Sequence, residues 1–311
     1  MTAQSRRQFL IQSSRLAAAA LAAPWLPRRA LGDPLGRPIG IQLYTVNGAM
    51  QEDPAGTLKK IREIGFGEVE TAGFGKLSAK QFRGLLDDAG LACPSAHLPF
   101  DMDNLGPTFE DAHALGATYA ASGSLPAAMV GSKAAAGSKG AAAPLKRSMS
   151  LHEAKRTAEL VNRIGEAAKR AGLQYVYHNH DFEFAHRHGS VGYDVLLRES
   201  DPDLVKFEID CGWMIFAGRN PIDYFKKYPN RFPMIHVKDF LPAHDHGAGA
   251  AHKAPMLGAE LGHGVVDYKP IFAAAGKAGL QHYFVEQEGP FSRMTPLQAA
   301  QVDYDYLHSL G

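Results

Sequence analysis

"LHEAKRTAELVNRIGEAAKRAGLQYVYHNHDFEF" (residues 151–184) carries one unit of the fold and poses the question of its function. Its first part has apolar residues at helical spacing and stops at Gly172, the residue type that favours a helix C-terminus. Tyr175, Val176 and Tyr177 then begin a β-strand with aromatic and β-branched residues. The strand does not continue with Val or Ile. It runs into His178, Asn179, His180, Asp181 and Glu183, groups that are costly to remove from water unless they find partners.

The same helix-then-strand rhythm extends in both directions. Strands are predicted over 39–46, 67–71, 93–100, 117–125, 175–180, 205–210, 234–240 and 283–288. Amphipathic helical patterns lie between them, several closed by Gly65, Gly90, Gly172 or Gly279. A short helix around "GYDVLLRES" (192–200) is the faintest of these patterns. Eight such units imply an α/β protein, a single (β/α)8 TIM barrel over residues 37–311, rather than an open doubly wound sheet. No GxGxxG follows the first strand, which removes the usual dinucleotide-binding reading. A chain of 311 residues often divides into two domains, but barrels of about 250 residues fold as one.

Residues 1–30 read as a leader. Arg6 and Arg7 precede Phe9, Leu10 and an alanine-rich apolar run too short to span a bilayer comfortably. Twin arginines in this setting resemble a twin-arginine export signal. The expected location is therefore the periplasm, with membrane tethering if the leader is not removed. Net charge is +1, which gives no electrostatic footprint for nucleic acid. Cys93 and Cys211 have no short metal-binding spacing. Two irregular stretches, 131–147 and 241–268, each follow a strand and so belong to the barrel face where active sites are built.

Strand parity locates the chemistry. Residues i and i+2 share a face. His178/His180, Glu208/Asp210, His236/Lys238 and Glu286/Glu288 are therefore same-face pairs at the ends of the last four strands. Glu68/Glu70 and Ser95/His97 repeat the pattern on strands two and three. Buried imidazoles and carboxylates gathered in this way suit one divalent cation, among Mn, Fe, Co, Zn or Mg. The alternative is a buried ion-pair network without metal.

With these segments in view, the chain resembles the xylose isomerase-like TIM barrel superfamily. It is most similar to the exported sugar phosphate isomerase/epimerase branch, related to inosose dehydratases and tagatose-type epimerases. The resemblance rests on "IGIQLYTV", "IGFGEVE", "SAHLPF", "YHNHDFEF", "KFEIDCGW", "IHVKDF", "LGHGVVDY" and "YFVEQE", in that order over residues 39–288. It implies one metal held from strands five to eight, at His178, Asp210, His236 and Glu286. His178 departs from the glutamate of the family pattern. Of the two opposed glutamate bases of the epimerases, only the strand-eight residue remains, which favours a one-base isomerisation or proton removal followed by loss of a leaving group. Trp213 stands where a histidine often follows the strand-six aspartate.

The resemblance implies a sugar isomerase or epimerase that abstracts a proton beside a carbonyl and stabilises the enediolate with the metal. A lyase or dehydratase on a keto-sugar or keto-glycoside, and a non-catalytic sugar-binding barrel, are the alternatives. His180, His97 and Glu70 are the candidate bases and Lys238 the candidate electrophile or acid. The expected partner is a small-molecule sugar, with no nucleic acid and no membrane beyond the leader; a homo-oligomer is compatible with the sequence.

Overall fold

The structure is a computed structural model that describes residues 33–123, 148–187, 189–241, 257–291 and 293–311. The leader, the stretch 131–147 and most of the 241–268 segment lie outside the described residues. Eight parallel strands close into a barrel: β1 (Gly40–Gln42), β2 (Glu68–Ala72), β3 (Ala92–His97), β4 (Tyr119–Ser122), β5 (Gln174–His178), β6 (Val205–Asp210), β7 (Met234–Val237) and β8 (His282–Val285). Each pairs with its sequence neighbours, and β8 pairs with β1 to close the ring. The expected (β/α)8 architecture is thus present.

Outside the ring run α1 (Pro54–Ile64), α2 (Ala79–Ala89), α3 (Gly106–Leu115), α4 (Leu151–Arg170), α5 (Gly192–Glu199), α6 (Pro221–Lys227), α7 (Tyr268–Lys277) and α8 (Pro296–His308). Ser78 with Gln81, Ser150 with Glu153 and Thr295 with Gln298 form reciprocal capping boxes at α2, α4 and α8, each satisfying two otherwise orphaned backbone donors. The faint pattern at 192–200 is the genuine helix α5.

Several strands are shorter than the sequence suggests. β1 ends at Gln42, whose Oε1 accepts the Tyr44 N–H and turns Leu43–Val46 into a 3-10 turn. β7 ends at Val237; Asp239–Phe240 peels away to pair with Gly258–Ala259. Short helices at Asn47–Glu52 and Cys211–Phe216 were not anticipated, because six residues are too few to show a period.

The barrel interior is layered. Glu68 and His282 pair at 2.8 Å at the N-terminal end. Above them Ala121, Val176, Met234 and Phe284 form a small apolar cluster separate from the main core between strands and helices. Gly40 faces this layer: a Cβ there would stand 2.5 Å from the Phe284 ring and 2.8 Å from the Tyr283 carbonyl. Polar residues fill the C-terminal end. No helix of the described residues is long and apolar enough to cross a membrane.

Candidate metal centre

Seven strand ends deliver side chains to the C-terminal mouth: Gln42 from β1, Glu70 from β2, Ser95 and His97 from β3, His178 from β5, Glu208 and Asp210 from β6, His236 from β7, and Glu286 just beyond β8. All are buried except His97, whose side chain is 15% exposed. Lys238 follows β7 and is buried as well.

The inner part is a network of carboxylates and imidazoles. Glu70 accepts from Gln42 Nε2 at 2.8 Å and from Ser95 Oγ, and its Oε2 lies 2.7 Å from His236 Nε2 and 3.1 Å from His97 Nε2. Glu208 Oε2 stands 3.0 Å from His97 Nε2, 3.2 Å from His236 Nε2 and 3.4 Å from His178 Nδ1. Burial alone would depress the imidazoles. The charge of Glu70 and the hydrogen bond to Glu208 outweigh it and push His97 up to about 10. Burial likewise opposes ionisation of Glu208, yet His236, His178 and His97 hold its carboxyl well below the usual range.

The outer part is centred on Lys238. Its Nζ lies 3.0 Å from Asp210 Oδ2, 2.8 Å from Glu286 Oε2 and 2.7 Å from Glu288 Oε1. These three carboxylates overcome burial and hold the ammonium well above its ordinary value. Glu286 also meets His236 Nδ1 at 3.0 Å. Asp210 Oδ1 accepts the Trp213 N–H at 2.8 Å and caps the short helix Cys211–Phe216. The backbone N–H of Asp210 donates to Asn179 Oδ1 at 3.2 Å.

Donor atoms of His178, Asp210, His236 and Glu286 all lie within 4.8 Å of one another. A second overlapping group, His97, His178, Glu208 and His236, meets the same limit. His178 Nδ1 and Asp210 Oδ2 are buried and lack a well-aligned hydrogen bond, their nearest polar neighbours being Glu208 Oε2 at 3.4 Å and Lys238 Nζ at 3.0 Å. A mixed imidazole–carboxylate set of this kind fits a divalent cation.

A family profile described as "Xylose isomerase-like TIM barrel" matches residues 58–309. The chain belongs to that family. Among curated relatives, inosose dehydratase of Lacticaseibacillus casei is 28% identical over 162 residues, covering 50% of this chain and 54% of that protein. Inosose dehydratase of Clostridium tetani is 30% identical over 155 residues, 48% of this chain and 51% of that one. The chain therefore spans about half the length of the curated relatives it matches. The fold is shared with a sugar phosphate isomerase/epimerase from Parabacteroides distasonis (TM-score 0.66, 24% identity, 87% of this chain and 93% of that one). It is also shared with an L-ribulose 3-epimerase (TM-score 0.61, 14% identity, 87% and 93%).

Within this xylose isomerase-like barrel, the residues singled out from the sequence fall in different places. His180 lies past the end of β5, half-buried, with its ring 5.0 Å from that of His178 and 6.2 Å from that of Trp213. Burial, His178 and Lys238 push it well below the ordinary histidine value. Glu70 is fully buried behind His236 and fixes which way that ring faces. Lys238 pairs with Asp210, Glu286 and Glu288 and not with the adjacent Asp239. Asp239 turns away to accept backbone N–H groups of Gly262, Gly264, Val265 and Val266. Glu68 does not join Glu70, because two residues along β2 carry it to the other end of the barrel. Glu208, Ser95 and Glu288 were visible by parity but not chosen as site residues. Gln42 was missed, although it shares a face with Gly40 in "GIQ".

Proposed function

We propose that the chain is a divalent-metal-dependent enzyme that removes a proton from the carbon beside a sugar carbonyl, as an isomerase or epimerase. One observation carries the reading: His178, Asp210, His236 and Glu286 present donor atoms within 4.8 Å of one another at the barrel mouth. These four would hold the ion. A bound cation supplies Lewis-acid stabilisation of the negative charge that develops on a carbonyl oxygen as the neighbouring proton leaves. A solved barrel of this fold from Mycobacterium smegmatis is a complex with magnesium (TM-score 0.61, 19% identity, 89% of this chain and 97% of that one), which supports the metal reading.

The chain's own residues supply the rest. His180, whose ring centroid lies 5.0 Å from that of His178, is placed to accept the proton. His97 is the part of the inner network that reaches the open side, where its ring can bond a substrate hydroxyl. Lys238 can donate to an oxygen that gains charge or departs. Glu70 and Glu208 orient His236, His97 and His178. Arg6 and Arg7 support export to the periplasm, so an unphosphorylated sugar is the substrate we favour.

A dehydratase or lyase on the same site is the second reading. It is favoured by the inosose dehydratases among the relatives and by Lys238, an ammonium able to protonate a leaving oxygen. The deciding experiment incubates the metal-reconstituted protein with keto-sugars and inososes in heavy water. Deuterium uptake at the α-carbon without elimination is expected. Loss of water or of an aglycone would instead establish the second reading, and absence of both exchange and turnover would defeat catalysis altogether.

A further inference from the structure

The short helix Cys211–Phe216 starts on Asp210 and carries Trp213 and Phe216 outward from the donor cluster. Trp213 lies with its ring centroid 5.1 Å from Lys238 Nζ. Trp213, Phe216 and Phe240 then form a mutual triangle, with centroids 6.0, 5.9 and 6.1 Å apart. The helix can come this close because residue 212 is glycine: a Cβ there would stand 2.7 Å from the Phe240 ring and 2.9 Å from Lys238 Cβ and the Lys238 carbonyl.

Two members of the triangle are buried, Trp213 at 7% and Phe240 at 4% exposure, whereas Phe216 is 48% exposed. An exposed ring braced by two buried ones, at the edge of a polar centre, is an apolar contact surface held in fixed orientation. A second observation points the same way. The Trp213 indole Nε1 is buried and has no hydrogen-bond partner, so a donor is left over beside the rings. The short helix leads from Asp210 past Trp213, which faces Lys238, to Phe216, so Phe216 is the exposed apolar ring met on moving outward from a sugar held at the donors.

We propose that Phe216, backed by Trp213 and Phe240, is a subsite for the second ring of a glycoside, the aglycone or neighbouring sugar of a substrate whose first ring is held at the donor cluster. The proposal deepens the sugar-processing reading and rests on it for the identity of the first ring. Such a second ring lays its apolar face on Phe216.

The chain has two tryptophans, Trp25 and Trp213, so the full-length Trp25→Phe protein reports Trp213 fluorescence alone. With metal supplied, it is titrated with methyl β-glucopyranoside, phenyl β-glucopyranoside and cellobiose. The two-ring probes are expected to change the emission and to bind about ten times more tightly than the methyl glycoside. Phe216→Ala should bring that ratio near one without changing affinity for the methyl glycoside, and Phe216→Tyr should keep it. Equal affinities, no binding of the two-ring probes, or a ratio unchanged by Phe216→Ala would overturn the subsite. So would a fall in melting temperature with no change in ratio, which would mean that Phe216 packs within the fold and not against a ligand. Ring-selective binding without α-carbon exchange would leave the subsite standing and defeat the proposed reaction. Exchange without ring selectivity would do the reverse.

Discussion

Glu70 Oε2 lies 2.7 Å from His236 Nε2, so strand β2 reaches across the barrel to a histidine of β7 whose other nitrogen faces Glu286. A buried carboxylate in that position sets the ring's orientation and its basicity. Glu70→Gln is expected to weaken divalent-metal binding by roughly 10–100-fold while the barrel stays folded. Titration calorimetry with Mn2+ measures it. Unchanged affinity would mean that His236 is oriented by Glu208 alone.

Lys238 is the one lysine ammonium shared by Asp210, Glu286 and Glu288 among the described residues. Lys238→Met leaves the buried carboxylates of Asp210 and Glu286, and the half-buried Glu288, without it, and removing one partner of a buried ion pair typically costs about 3–5 kcal/mol. Because Asp210 and Glu286 are also proposed metal donors, added Mn2+ should recover part of the lost melting temperature. The same addition should do less for Lys238→Met combined with Asp210→Asn.

Asp239 accepts five backbone N–H groups, from Phe240, Gly262, Gly264, Val265 and Val266. Asn would turn an amide donor toward some of those donors. Each buried donor left unsatisfied costs about 1–3 kcal/mol. Hydrogen exchange of Asp239→Asn should accelerate over 262–266 and leave α2 and α3 at the parental rate.

Asp303 on α8 is buried and accepts the Leu261 N–H at 2.7 Å, while its Oδ2 has no partner. Burial, with Glu260 and Asp239 adding to it, pushes this carboxyl up to about 8. The folded value is raised above the unfolded value of about 3.9. Its contribution to stability is therefore complete below about pH 4 and is lost as pH rises toward about 8, with a slope of at most about 1.4 kcal/mol per pH unit. Asp303→Asn keeps the acceptor for Leu261 and should remove that slope, so the difference between the two melting curves grows from pH 5 to pH 8. Parallel curves would show that the acid is already relieved in the native state.

Arg6 and Arg7 carry the proposal of export. Replacing both with lysine should strand the full-length chain in the cytoplasm of a bacterial host, read by fractionation and immunoblotting. Periplasmic recovery of the double variant would remove the twin-arginine reading.

Much of the barrel was legible because helix and strand periods alternate so regularly along the chain. The converging side chains were legible for a related reason: parity along β6 and β7 puts Glu208 with Asp210 and His236 with Lys238. Parity gives a face, however, and not a height. Glu68 shares its face with Glu70 yet ends up at the opposite end with His282. Partners that come together only on closure were hidden as well. The pairing of Glu70 with His236 spans 166 residues, and no local pattern encodes it. Strand ends were set by single side chains such as Gln42, whose cap on Tyr44 competes with strand propensity and wins.

Between the Glu68–His282 pair and the donor cluster, Ala121, Val176, Met234 and Phe284 close the bore of the barrel. This disc acts as an insulator. Its side chains carry no hydrogen-bonding group, so among the described residues apolar atoms lie between the polar cluster at the C-terminal end and the Glu68–His282 pair at the other. Substitution of polar side chains above the disc, at His178 for instance, therefore leaves the Glu68–His282 anchor below it in place.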